Sequence, residues 1–273
     1  MVIARASWLS GALLLAASSP AGAQDIGGVF DMGGLVGTAA MDPVIEQSRD
    51  MAIRQGEADP LPDRPRANLL MRNLSRAFGL QADGRSAEPA SAPKDVVSVD
   101  AAALNYRPSM ELRRKHLASF VKQTRAADPA GAAKLEPLFA TDIIGQIDAV
   151  LNRFGMRTDN VADAFTVWLI SAWQASRGIA DEPMRSEMSA VKTQVERSLS
   201  SISAFDTADD ATKQEVAEAC LIQAALIDGY MENARGDSEQ LGRIAEAARR
   251  NARRMGFDLD GMDLGTAGFR LSR

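Results

Sequence analysis

Val161-Ala-Asp-Ala-Phe-Thr-Val-Trp-Leu-Ile-Ser-Ala-Trp173 decides the reading of the fold. The stretch holds no Gly or Pro, and its apolar side chains fall on nearly every face of a 3.6-residue helix. A helix that is apolar all round belongs at a centre, with other helices around it. Asn160 stands where an N-cap is needed and Gly178 where a helix stops, which sets a helix over Val161 to Arg177. Asp163, Thr166 and Ser171 then lie in or near an interior, where each needs a hydrogen-bonding partner.

The helices that must surround it are legible on both sides. Pro108-Ser109 caps a helix running to about Ala126, and Asp128-Pro129 restarts a short one. Thr141 caps a third, with Ile143, Ile144, Ile147, Val150, Leu151 and Phe154 on one stripe and Gly155 as its stop. Pro183 opens a helix through Leu199. Asp206 or Thr207 caps a long one to about Ala234, with a break expected at Gly229. Ser238 opens the last, which ends at Arg254 and Gly256 with four arginines in its final turns, where positive charge suits the macrodipole. Strand signals are nearly absent. The fold class expected over residues 101–273 is therefore all-α, a single helical bundle of about six or seven helices. The stretch Lys213 to Met231 is nearly as apolar as the first, and the two are expected to pack together with Cys220 as a small buried side chain.

The N-terminal part differs. Arg5, the apolar run Leu9 to Ala17 and Ala21-Gly-Ala23 together read as a secretory signal peptide over residues 1–23, cleaved near Ala23. A periplasmic or secreted location follows. Residues 24–100 are Gly- and Pro-rich, with short amphipathic helices at about Pro43 to Gln55 and Asn68 to Phe78. In the second, Leu69, Leu70, Leu74 and Phe78 lie opposite Arg72 and Arg76. This composition buries too little apolar surface to offset its ordering entropy, so the segment is expected to be largely disordered.

Charge and residue counts exclude several functions. The chain carries 31 Lys and Arg against 36 Asp and Glu, a net charge of −5. Cleavage removes Arg5 and leaves 30 against 36, or −6. Such a chain has no global attraction to nucleic acid. No stretch after the signal reaches the roughly 18 apolar residues of a transmembrane helix. One cysteine permits no intramolecular disulfide. His116 is the only histidine, set in Arg113-Arg-Lys-His116, so multi-histidine metal sites are absent and His116 is read as a surface or boundary residue. Ser189-Ala-Val-Lys192 matches the S-x-x-K of penicillin-interacting enzymes without the companion motifs. The glycines from Gly27 to Gly37 lack the G-K-[ST] of a phosphate loop. Asp258-Leu-Asp260-Gly-Met-Asp263 lacks the twelfth-position Glu of a calcium loop and reads as a turn. No catalytic, metal or cofactor residues are assigned.

What remains is an interhelical pocket lined by Asp163, Trp168, Trp173 and Glu218. If the two apolar helices face each other, Asp163 and Glu218 come together with raised pKa values suited to acid–base work. The plainer alternative places Asp163 on free N–H groups of its own first turn, pairs Glu218 with Arg114 or Arg153, and puts both tryptophans in the core.

Tyr106-Arg-Pro-Ser109, Asn160-Val-Ala-Asp-Ala-Phe165 with Trp168 and Trp173, Gln214-Glu-Val-Ala-Glu218, Gly256-Phe-Asp-Leu-Asp260, Leu264 and Gly268-Phe269 form a recognisable set. From about Ala101 to Arg273 the chain resembles a family of uncharacterised secreted bacterial proteins, a domain of unknown function. The resemblance implies a helical periplasmic or secreted protein and brings no activity or cofactor. The function expected is a non-enzymatic interaction module of the cell envelope with a protein partner. The alternative is a small-molecule binder or weak enzyme using the interhelical pocket. The sequence sets no oligomeric state.

Overall fold

The computed structural model describes residues 101–127, 129–200, 202 and 208–272. The expectations for the signal peptide and for residues 24–100 lie outside the described residues. Seven α-helices follow one another among the described residues: α1 Met110–Ala127, α2 Pro129–Phe139, α3 Ile143–Leu151, α4 Val161–Ser176, α5 Arg185–Ser200, α6 Asp210–Asn233 and α7 Ser238–Arg254. A two-stranded sheet, β1 Met262–Gly265 and β2 Gly268–Leu271, closes the chain. The all-α bundle expected from the sequence is the fold observed.

α4 is the central helix because its sequence leaves it no polar face. Fifteen of its sixteen residues are buried, Trp173 alone being half-buried. α5, α6 and α7 all pack on it, and the α4–α6 contact is the most extensive among the described residues. Phe165 and Trp168 of α4 and Phe257, just after α7, form a ring cluster with centroids 5.2, 5.8 and 6.0 Å apart. α1 and α2 form a helical hairpin in which Phe120 meets Phe139 at 5.5 Å. α2 packs chiefly against α1, and α1 reaches the bundle through α6.

The caps explain most boundaries. Asn160 accepts the N–H of Asp163 at 3.0 Å while donating to Asn105 Oδ1 at 2.7 Å, which ties the start of α4 to the incoming chain. Asp142, not Thr141, caps α3 by accepting from Gly145 N, because the Thr141 hydroxyl is spent on Leu138 O. The 3-10 turn Asn152–Phe154 then carries the chain to Gly155. Asp209 caps α6 by accepting from Thr212 N. The expected caps Asp206 and Thr207 lie outside the described residues. α6 also runs unbroken through Gly229.

The hairpin is the element the sequence reading lacks. Its strands have only four residues each and no β-branched side chain, so the tertiary contacts that hold it leave no periodic trace. Gln194 of α5 clips β2 at one peptide: its Nε2 donates to Phe269 O and its Oε1 accepts from Phe269 N, both at 2.8 Å. Gly268 has a φ of +92°, and a Cβ there would press on Gln194 Oε1. On the β1 side, Trp173 Nε1 donates to Met262 O at 2.8 Å. The Arg177 guanidinium bonds Met262 O and Leu259 O and lies 4.6 Å over the Trp173 ring. Gln194→Ala is expected to lower stability by roughly 1–3 kcal/mol, two hydrogen bonds to half-buried backbone being lost. The Phe269 amide should lose its hydrogen-exchange protection first. An unchanged urea midpoint with unchanged protection at Phe269 would show that the clip contributes nothing.

Candidate functional site

Two buried carboxylates stand out, one on each of the paired central helices. Glu218 of α6 has a side chain only 1% exposed. α1 starts beside it because Ser109 and Gln214 exchange hydrogen bonds: Ser109 N donates to Gln214 Oε1 and Gln214 Nε2 donates to Ser109 O, each at 2.8 Å. That junction places Arg113 Nε 2.7 Å from Glu218 Oε1 and His116 Nδ1 3.3 Å from Oε2, with Gln214 Nε2 adding a third contact at 2.9 Å. Arg113 and His116 are one turn apart on α1, as Gln214 and Glu218 are on α6, so the two helix faces meet as a polar clamp. The expected partners Arg114 and Arg153 are not the ones used. Arg114 is exposed, 100° round the helix from Arg113. His116 sits at the boundary, its side chain 21% exposed, and its ring contact with Glu218 has no signature in the sequence. Tyr106 is packed nearby and donates to Thr158 O at 2.8 Å. Burial, with the Glu218 carboxylate adding to it, holds its hydroxyl protonated far above the ordinary range.

Asp163 is fully buried in the first turn of α4. Its Oδ2 accepts the backbone N–H of Arg157 at 3.0 Å, outside the helix rather than in its own first turn. Its Oδ1 lies 2.5 Å from Lys192 Nζ in an ion pair. Lys192, on α5, is 27% exposed and also faces Glu196 Oε1 at 3.8 Å. It belongs to the Ser189-x-x-Lys192 pattern, and its ammonium is directed at these carboxylates. Burial raises the Asp163 pKa more than Lys192 and the Arg157 N–H lower it. Burial likewise raises that of Glu196.

A carboxyl whose folded pKa exceeds its unfolded value favours the folded state when protonated, and this advantage is lost as pH rises from the unfolded pKa through the folded one. Asp163→Asn is therefore expected to gain stability relative to the parent as pH rises across the interval just above ordinary aspartate titration, then to hold a constant difference. A stability difference flat in pH from acid to neutral would rule this out.

The two tryptophans are engaged separately. Trp168 is 1% exposed, with Nε1 donating to Gln223 Oε1 at 3.1 Å. Trp173 serves the hairpin, its ring also meeting Phe269 at 5.9 Å. The four residues expected to line one pocket thus share no partner: Glu218 faces α1, Asp163 faces α5, Trp168 bonds α6 and Trp173 bonds β1. Cys220 is fully buried, and burial pushes its thiol up, away from nucleophilic use. Asp260, in the turn that resembles a calcium loop, is paired with Arg249 and Arg253. Among the described residues no group of three or more His, Cys, Asp or Glu side chains is placed to hold a metal ion. None of the helices described is long and apolar enough to cross a membrane.

The chain belongs to a family of unknown function, DUF6683, whose model matches residues 70–272. The match begins at Leu70, inside the segment that the sequence resemblance left aside, and takes in most of the amphipathic stretch ending at Phe78. No curated protein and no solved structure matches the chain.

Proposed function

We propose that the chain is an exported, non-enzymatic interaction module of the cell envelope, in which the helical bundle is a scaffold and residues 24–100 tether it to a protein partner. Export rests on Arg5, the apolar run Leu9 to Ala17 and Ala21-Gly-Ala23. The observation that carries the interaction reading is the engagement of all four candidate pocket residues by separate structural partners: Arg113, Lys192, Gln223 and Met262 O. Side chains used in this way hold the scaffold in one shape. The amphipathic stretch Asn68 to Phe78 is the docking element, and most of it falls within the family match. The test is cross-linking in intact cells through a C-terminal tag, followed by mass spectrometry. Deleting residues 25–99 should abolish capture of the stoichiometric partner while the helical bundle melts unchanged. Undiminished capture would overturn the reading.

A second reading, a small-molecule binder, has one observation in its favour. Ser171 Oγ, Gln223 Nε2 and Asn251 Oδ1 are buried without a hydrogen-bond partner among the described residues, and they sit on α4, α6 and α7, which pack together. A small polar ligand that reached any one of these atoms would complete its hydrogen bonding. A thermal-shift screen that raises Tm in the parent but not in Gln223→Leu would support that reading.

A further inference from the structure

We propose that Asp163 and Lys192 join covalently, forming a side-chain amide that ties α4 to α5. This goes beyond the interaction reading and does not depend on it. The reacting groups are already in contact: Lys192 Nζ stands 2.5 Å from Asp163 Oδ1, and the carboxyl carbon is one bond further on. Asp163 is fully buried, which shields the product from hydrolysis. Glu196, one turn beyond Lys192 on α5, holds its Oε1 3.8 Å from the same Nζ with its side chain 17% exposed. The Arg157 guanidinium, whose charge also reaches Asp163, is taken by Asp159 through two bonds of 2.7 Å.

While ionised, the pair is inert, because an ammonium has no lone pair and a carboxylate carbon is a poor electrophile. Burial favours the neutral alternative, since it raises the Asp163 pKa. Proton transfer from Nζ to Oδ1 gives a free amine facing a carboxylic acid. The amine lone pair attacks Cγ and forms the C–N bond, while the C=O π pair moves onto Oδ2. The Arg157 backbone N–H, 3.0 Å from Oδ2, is placed to hold that developing negative charge. Glu196 takes a proton from the nitrogen and returns it to Oδ1. The Cγ–Oδ1 bond then breaks, Oδ1 leaves as water, and Oδ2 re-forms the carbonyl. Burial raises the Glu196 pKa as well, which suits a carboxyl that must both accept and give a proton. Of the three ammonium hydrogens, two depart in the water and one stays as the amide N–H. The step is a condensation and consumes no oxidant or co-reactant.

Contact is what makes the condensation feasible, because well-oriented intramolecular groups reach effective molarities of about 10⁵–10⁸ M. The amide is also the better occupant of the site. It is neutral, whereas the ion pair it replaces keeps a carboxylate out of water at a desolvation cost. The link closes the chain between residues 163 and 192 and pins the helix that carries Ser189-x-x-Lys192 to the central one. The pH dependence expected for Asp163→Asn belongs to the unlinked chain, since a linked parent has no carboxyl at 163 to titrate.

The test is tryptic peptide mass spectrometry of the full chain, held folded at neutral pH and digested after denaturation. The parent should yield a branched peptide joining Thr158 to Arg177 with Ser186 to Arg197, uncut after Lys192 and one water lighter than the two peptides together. Lys192→Met should yield Thr158 to Arg177 unlinked. Glu196→Gln, at a half-buried position, should keep the helical circular dichroism and accumulate the branched peptide on the order of 100-fold more slowly than the parent. Two separate peptides in the parent, with cleavage after Lys192, would overturn the proposal, and the contact would then be an ion pair only. Linking in Glu196→Gln as fast as in the parent would overturn the proton route through Glu196.

Discussion

Glu218→Leu is expected to cost about 3–5 kcal/mol of unfolding free energy, the range for removing one partner of a buried ion pair. The carboxylate is almost fully buried and accepts from Arg113 and Gln214 with His116 against its other oxygen. Taking it away leaves the Arg113 guanidinium, 13% exposed, without its nearest counter-charge, Asp142 Oδ1 being 3.9 Å off. The lost attraction is the smaller part of the cost; the stranded cation is the larger. The double variant Arg113→Leu with Glu218→Leu should therefore be more stable than Glu218→Leu alone, because no unpaired charge is left behind. Urea unfolding at constant m reads both variants. α1 reaches the bundle through α6, so hydrogen exchange in α1 and α2 should rise before that of α4. A loss below about 1 kcal/mol for Glu218→Leu would show that the clamp is screened by solvent and holds little.

The clamp also marks the limit of what the sequence discloses. Helix α4 is legible because a run without a polar face has one stable place, and Asn160 and Gly178 bound it through local chemistry alone. The start of α6 is less legible: several acids stand close together there, each able to cap, and the one that does so is Asp209. Gly229 suggests a break, but a helical glycine costs only about 1 kcal/mol, less than the packing of its buried apolar neighbours Ile227 and Met231 recovers. Side-chain pairings are the least legible. Arg113 and Glu218 are 105 residues apart, and choosing Arg113 over Arg114 requires the rotation of α1 about its axis to well within 100°. That rotation is set by Leu117 and Phe120 turning inward, a three-dimensional fact with a weak linear signature. Lys192 is similar. It is visible as half of a short motif, but its placement against Asp163 depends on how α5 lies on α4. Gln194, which anchors the hairpin, has no motif at all.

Trp168→Ala is expected to be the other severe substitution, costing about 3–5 kcal/mol, as removal of a large core aromatic does. The indole is 1% exposed, touches Phe165 and Phe257, and supplies the donor for Gln223 Oε1. Two losses therefore combine: a cavity among rings that cannot collapse freely, and a buried amide oxygen left without its donor. Trp168→Phe separates them, keeping most of the ring packing while losing the N–H, and should cost less than about 2 kcal/mol. The same pair of variants decides between a filled interior and a ligand-lined one. Indole fits the space that Trp168→Ala creates and should raise the Tm of that variant by mass action. If the side chain is a packing element, indole leaves the parent unmoved, because the parent already holds that ring in place. If Trp168 lines a site open to small aromatic ligands, the parent responds as well, and the balance passes from the interaction module to the binder.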